Sequence, residues 1–146
     1  MALTKVNRGG LNTGISDSSD ATFLTVDTSE QAVIKSEGGA TTTSVQQGLA
    51  KHWLNLDGTG TIAISDSVNC ASVTDDGTGD YDPFFTNNMN NTVYSIAGAC
   101  PAGPGDASVL GAATLATNKY RLLVSDGGSN LEDQDPAMTQ VNGDLA

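Results

Sequence analysis

Basic side chains are scarce in this chain. Six lysines and arginines stand against 17 aspartates and glutamates, for a net charge of −11. The six, Lys5, Arg8, Lys35, Lys51, Lys119 and Arg121, are scattered along the sequence. A nucleic-acid backbone is gripped by clustered Lys and Arg, so the composition argues against a nucleic-acid partner. Long apolar runs are missing as well. No stretch approaches the roughly 18 apolar residues that span a bilayer, and no apolar run follows the basic residues of the first ten positions, as a secretory leader requires. Synthesis in a cytoplasm, without membrane insertion, is the expectation. Histidine and tryptophan occur once each, side by side at His52 and Trp53, and the two cysteines, Cys70 and Cys100, form no CxxC pair. The cysteines read as small buried hydrophobes; whether their Cα atoms lie within disulfide range is a tertiary question.

What is abundant is Thr, Ser, Asn, Asp and Gly, a mixture that suits turns and short strands better than helices. Apolar residues make up 38% of the 146, and the 17 glycines bring the total to about half, enough for a packed core. The chain divides by texture near residue 50. Residues 1–50 are polar with brief apolar pulses. Thr22–Val26 and Gln31–Lys35 read as two short strands, Gly9–Gly14 as irregular chain, and Ser36–Thr43 as a flexible connector. An isolated two-stranded hairpin is marginal in water, so this region needs a partner, either the rest of the chain or copies of itself. Val45–Ala50 is the one candidate helical turn.

From Lys51 onward, segments of five to eight residues recur about every ten: His52–Leu56, Thr61–Ser65, Ser67–Thr74, Tyr81–Thr86, Thr92–Ala97, Ser108–Thr114, Tyr120–Ser125 and Ala137–Val141. Eight short strands with Gly, Asp and Asn punctuation predict an antiparallel sandwich over residues 51–146. The fold class expected is therefore all-β: a small antiparallel β-sandwich preceded by an extended N-terminal region over residues 1–50. Asp-Gly-Thr-Gly occurs twice, at 57–60 and 76–79, each time between two strand candidates, where glycine permits the positive φ of a tight turn. Pro83 interrupts the strand after Tyr81 and predicts an edge or bulged position there.

Candidate chemistry is thin. A Ser/His/Asp set around His52 has no nucleophile elbow to support it, and a half-exposed strand position beside a packed Trp53 is the favoured reading. The acidic run Asp75–Asp82 lacks the alternating spacing of a calcium loop and reads as a solvated turn. Carboxylate pairs suitable for glycoside cleavage are unavoidable among 17 acids and carry no weight. No catalytic residue, metal or cofactor is assigned, and a non-enzymatic role is expected.

Two stretches carry a resemblance. Met1-Ala2-Leu3-Thr4-Lys5-Val6 and Arg8-Gly9-Gly10-Leu11-Asn12-Thr13-Gly14 resemble the start of tail-fibre-like proteins of marine bacteriophages. Lys51-His52-Trp53-Leu54-Asn55-Leu56-Asp57-Gly58-Thr59-Gly60 and Asp75-Asp76-Gly77-Thr78-Gly79-Asp80-Tyr81 resemble the C-terminal domain of such fibres. The resemblance implies a homotrimeric structural protein of the virion, a tail fibre or tail-tip component that contacts the host surface. The alternatives are a capsid decoration (head fibre) protein and a carbohydrate-active enzyme. The partners implied are further copies of the chain, other virion proteins of tail or capsid, and a host-surface glycan or protein. Leu3, Val6, Arg8 and Leu11 are the expected virion-docking residues, and the weak hairpin of the first 35 residues is expected to intertwine among three chains. Host contact is expected from the loops 75–82, 84–91 and 100–107, with Asp76, Asp80, Tyr81, Phe84, Phe85 and Asn88 as candidates. In that reading the aromatic rings stack on sugars, while core packing is favoured for at least one of them.

Overall fold

A computed structural model describes residues 14–16, 22–26, 32–35, 42–101, 109–127 and 130–146. The chain forms two compact units, Met1–Leu49 and Ala50–Ala146. In the first, β1 (Gly14–Ser16), β2 (Thr22–Val26), β3 (Ala32–Lys35) and β4 (Thr42–Ser44) form an antiparallel meander, followed by the single helical turn α1 (Val45–Gly48). Thr25 pairs with Val33, and Val33 in turn with Ser44. The expected hairpin is thus the centre of a four-stranded sheet. Its outer strands, Gly14–Ser16 and Thr42–Ser44, were not expected as strands; they begin at the end of the stretch read as irregular chain (Gly9–Gly14) and within the one read as a connector (Ser36–Thr43). Short Thr/Ser segments have too little apolar signal to be recognised as strands, and an adjacent β-edge decides their conformation.

The second unit is the sandwich. One sheet has the order β6-β5-β12-β9, built from β5 (His52–Asp57), β6 (Ala63–Val68), β9 (Ser95–Ala99) and β12 (Ala137–Asn142). The other has the order β10-β11-β8-β7, built from β7 (Cys70–Gly77), β8 (Asp80–Phe85), β10 (Val109–Leu115) and β11 (Tyr120–Ser125). All pairings are antiparallel. The eight strands fall where the sequence placed them, with boundaries shifted by up to three residues at most ends.

Alternation along the central strands sorts the side chains by face. His52, Leu54 and Leu56 of β5 and Ala137, Thr139 and Val141 of β12 point inward from one sheet, and Tyr81, Pro83 and Phe85 of β8 and Tyr120, Leu122 and Val124 of β11 from the other. Met89 and Tyr94, from the crossing between β8 and β9, complete the core. Cys70 and Cys100 are half-buried at its margin. β8 is an interior strand, which corrects the edge alternative for Pro83. The irregularity expected there is real: pairing with β11 holds at Asp80–Leu123 and Tyr81–Leu122, lapses at Pro83, and returns as the lone Phe84–Lys119 bridge. A proline has no N–H for the ladder, and β7 on its other side bulges at both ends of the pairing.

Candidate functional site

His52 occupies the centre of the sandwich and not a half-exposed position. It is fully buried, while Trp53 is the half-buried residue on the outward face. The His52 ring meets Phe85 and Tyr120 edge-on, with centroids 5.2 and 5.5 Å apart. Its Nδ1 lies 3.3 Å from the Asn69 carbonyl and its Nε2 lies 3.0 Å from the Tyr120 hydroxyl, which is 2.5 Å from Thr139 Oγ1. A carbonyl can only accept, so Nδ1 carries the proton; Nε2 then accepts from Tyr120, and Thr139 donates to Tyr120. Burial lowers the His52 pKa, against the Asn69 carbonyl, which raises it. Burial likewise drives the Tyr120 hydroxyl far above its ordinary range. The chain of hydrogen bonds ties the two sheets together and is sealed from solvent.

Each end of the sandwich has its own polar clamp. At one end Asn69, between β6 and β7, has φ 58°, a left-handed conformation that asparagine tolerates better than most residues. Its amide donates to the carbonyls of Lys51 (2.9 Å) and Asn87 (3.0 Å) and accepts from the Asn87 N–H (2.6 Å). At the other end the two Asp-Gly-Thr-Gly turns meet. Tyr81 donates its hydroxyl to Asp133 Oδ1 at 2.6 Å, with the Gly58 carbonyl 3.2 Å away, and the Gly79 N–H donates to the same Asp133 oxygen at 2.7 Å. The Gly58 N–H donates to the Gln134 carbonyl at 2.9 Å. A Cβ on Gly58 would collide with the Tyr81 hydroxyl, and Gly79 combines φ +63° with crowding against the Val124 carbonyl. The repeat is a pair of fold-closing turns.

The residues expected to touch a host are dispersed by this architecture. Tyr81 and Phe85 are 0% and 5% exposed and cannot present a ring to a sugar; alternation from Tyr81 through Pro83 to Phe85 directs all three inward. Asp80 is 7% exposed, bonded by both carboxylate oxygens to Arg121, whose guanidinium holds it below the usual carboxylate range. Its neighbour Asp82 pairs with Lys119, and the Lys119 ammonium stands 5.1 Å from the centre of the half-buried Phe84 ring. Asp76 and Asn88 are exposed, as expected of contact residues. Most of the 100–107 loop, and Leu3, Val6, Arg8 and Leu11, lie outside the described residues. Asp75, Asp80 and Asp82 of the 75–82 run have separate partners, Asp75 accepting from the Gly77 N–H at 3.0 Å, and among the described residues no three metal-ligating side chains converge.

A feature the sequence reading missed lies on the outward face of β5, β12 and β9. There an open groove of about 480 Å³ is lined by Trp53, Asn55, Ala97, Ala99, Met138 and Gln140. Strand register sets two rows across it: Val68, Trp53, Gln140 and Ala97 in one, Asp66, Asn55, Met138 and Ala99 in the other. Asn55 Oδ1 is buried and has no hydrogen-bond partner among the described residues. The period-two alternation that points Leu54 and Leu56 inward also points Trp53 and Asn55 outward, so the β5 side of the groove, though not the groove itself, was legible in the sequence.

No family model, characterised protein or solved structure matches the chain. Among the described residues no helix is long and apolar enough to cross a membrane. Fold and geometry define a small all-β sandwich joined to a separate four-stranded sheet.

Proposed function

We propose that this chain is a non-enzymatic structural protein of a bacteriophage particle, a tail fibre or tail-tip component that meets the host surface through its sandwich unit. The observation that carries the reading is the use made of the motifs behind the resemblance. Gly58 of the first Asp-Gly-Thr-Gly turn and Gly79 and Tyr81 of the second stretch take part in one clamp at one end of the sandwich. The residues that carry the resemblance to phage fibres are therefore fold-closing residues, which supports reading the sandwich as a module of that kind. The sole histidine, the natural general base, is enclosed in the core, which favours binding over catalysis. Homotrimerisation belongs to the same proposal and rests on the resemblance alone, since the N-terminal hairpin finds strand partners within its own chain.

Immunogold labelling of purified particles with antibody against residues 51–146 tests the reading. Label at the tail supports host contact, label over the head assigns the chain to capsid decoration, and particles without label overturn both. A monomeric mass by light scattering would remove the trimer.

A further inference from the structure

We propose that the outward groove of β5, β12 and β9 is a binding site for a neutral glycan, with Trp53 stacked against a sugar ring and the amides of Asn55 and Gln140 taking its hydroxyls. The inference rests on the host-contact reading for its biological sense, but its chemistry stands on the groove. At about 480 Å³ the groove falls in the roughly 300–1,000 Å³ range of small-molecule sites. Its relief comes from side-chain size: Ala97 and Ala99 leave a low floor over β9, and the indole of Trp53 on β5 forms a wall. A pyranose offers an apolar C–H face and a rim of hydroxyls, and this surface places an aromatic ring within one strand step of two amides. Trp53 is not among the core side chains, so its indole is left for the outward face.

Asn55 supplies the second argument. Its Oδ1 is buried and unpartnered, an arrangement that native structures rarely keep without a reason. Met138, a flexible side chain, is paired with Asn55 across the β5–β12 ladder and is 39% exposed; in the proposed complex it yields so that a ligand hydroxyl reaches Oδ1. Charge sets the ligand class. None of the described residues lining the groove is charged, and Asp66 lies beside Asn55 on a chain of net charge −11, so acidic polysaccharides are repelled. Asp66 at the edge of the groove would face a like charge if a second copy packed on this same face.

Trp53 is the only tryptophan, so intrinsic fluorescence of the full chain reads the site directly. The chain would be titrated with cellohexaose, maltohexaose and mannohexaose, with polygalacturonate as the anionic control. A saturable Trp53 response to at least one neutral sugar and none to polygalacturonate is expected. Gln140→Ala and Asn55→Ala should each weaken binding about tenfold. Ala97→Phe should fill the floor and abolish it, while Val93→Ser, away from the groove, should leave it unchanged. Silence toward all three sugars would overturn the proposal, as would binding indifferent to Gln140→Ala and Ala97→Phe. A Trp53 shift that tracks protein concentration, with a dimer mass, would assign the face to a second copy and overturn it too. Failure here with label still at the tail removes only the glycan site; binding here without label on particles removes only the virion reading.

Discussion

The two outward faces of the sandwich are built on strands of similar length and opposite chemistry. On the β10-β11-β8-β7 sheet, Asp80 and Asp82 alternate with the inward aromatics of β8, and Arg121 and Lys119 fold over them, so that both carboxylates are nearly buried although they sit on the outside. Phe84 lies under the Lys119 ammonium. Charge-assisted hydrogen bonds complete that face. On the β6-β5-β12-β9 sheet the corresponding positions are Trp53, Asn55, Met138 and Gln140, with Val68 and Met138 at 46% and 39% exposure and one amide oxygen unpartnered. The comparison teaches that the acids and aromatics of β8 are consumed by the fold, whereas the face of β5 and β12 leaves an indole and an unpartnered amide oxygen.

That contrast can be broken from its shared interior outward. Tyr120→Phe removes the hydroxyl that joins the sheets and leaves His52 Nε2 and Thr139 without their partner; a loss of about 2–3 kcal/mol in urea unfolding is expected. A smaller loss would mean that the two sheets are held by apolar contacts alone. The same network predicts a pH dependence. Because the folded state lowers the His52 pKa from 6.5, the unfolded chain binds a proton that the native chain refuses. Stability should therefore fall as pH drops below 6.5, by up to about 1.4 kcal/mol per unit, until the folded pKa is reached. A flat profile below pH 6.5 would mean that the folded chain takes up the His52 proton as readily as the unfolded one.

Next comes the closed face. Lys119→Met leaves Asp82 without its cation and should cost about 1–2 kcal/mol. Asp82→Asn in the same background should restore part of it, and an absent loss would make the ion pairs ornaments of an otherwise stable sheet. Asp80, held low by Arg121, adds stability that persists above the ordinary carboxylate pKa and disappears as acidification passes its depressed folded value. The smallest effect is expected on the open face and with the opposite sign. Asn55→Leu removes an unpartnered acceptor and should stabilise the chain by about 0.5–1 kcal/mol, while weakening glycan binding. Destabilisation would show that Asn55 has a structural duty.

Strand positions in the sandwich were legible because Gly, Asp and Asn interrupt short apolar segments at a regular spacing, and Tyr120–Ser125 coincides with its expected bounds. The face of β5 was misread at its first two residues. Tryptophan is the larger hydrophobe, but Leu54 and Leu56 impose a parity that sends His52 inward and Trp53 outward. Of the candidate contact residues, Asp76 and Asn88 are on the surface and Tyr81 and Phe85 are not. The groove depends on Gln140 and Ala97, which join Trp53 only through the registers of β12 with β5 and β9, and no local pattern announces such a meeting.

By itself, then, the sequence determined an all-β chain of two textures, its turns, its strand positions and its acidity, since these follow from the conformational preferences and charges of neighbouring residues. Tertiary structure alone decided which acids are spent, because the partners of Asp80 and Tyr81 lie 41 and 52 residues away. It also decided that the two Asp-Gly-Thr-Gly turns share one clamp and that Trp53 looks outward over a groove. Those outcomes depend on which strands lie side by side and in what register, and that is settled by the packing of the whole core.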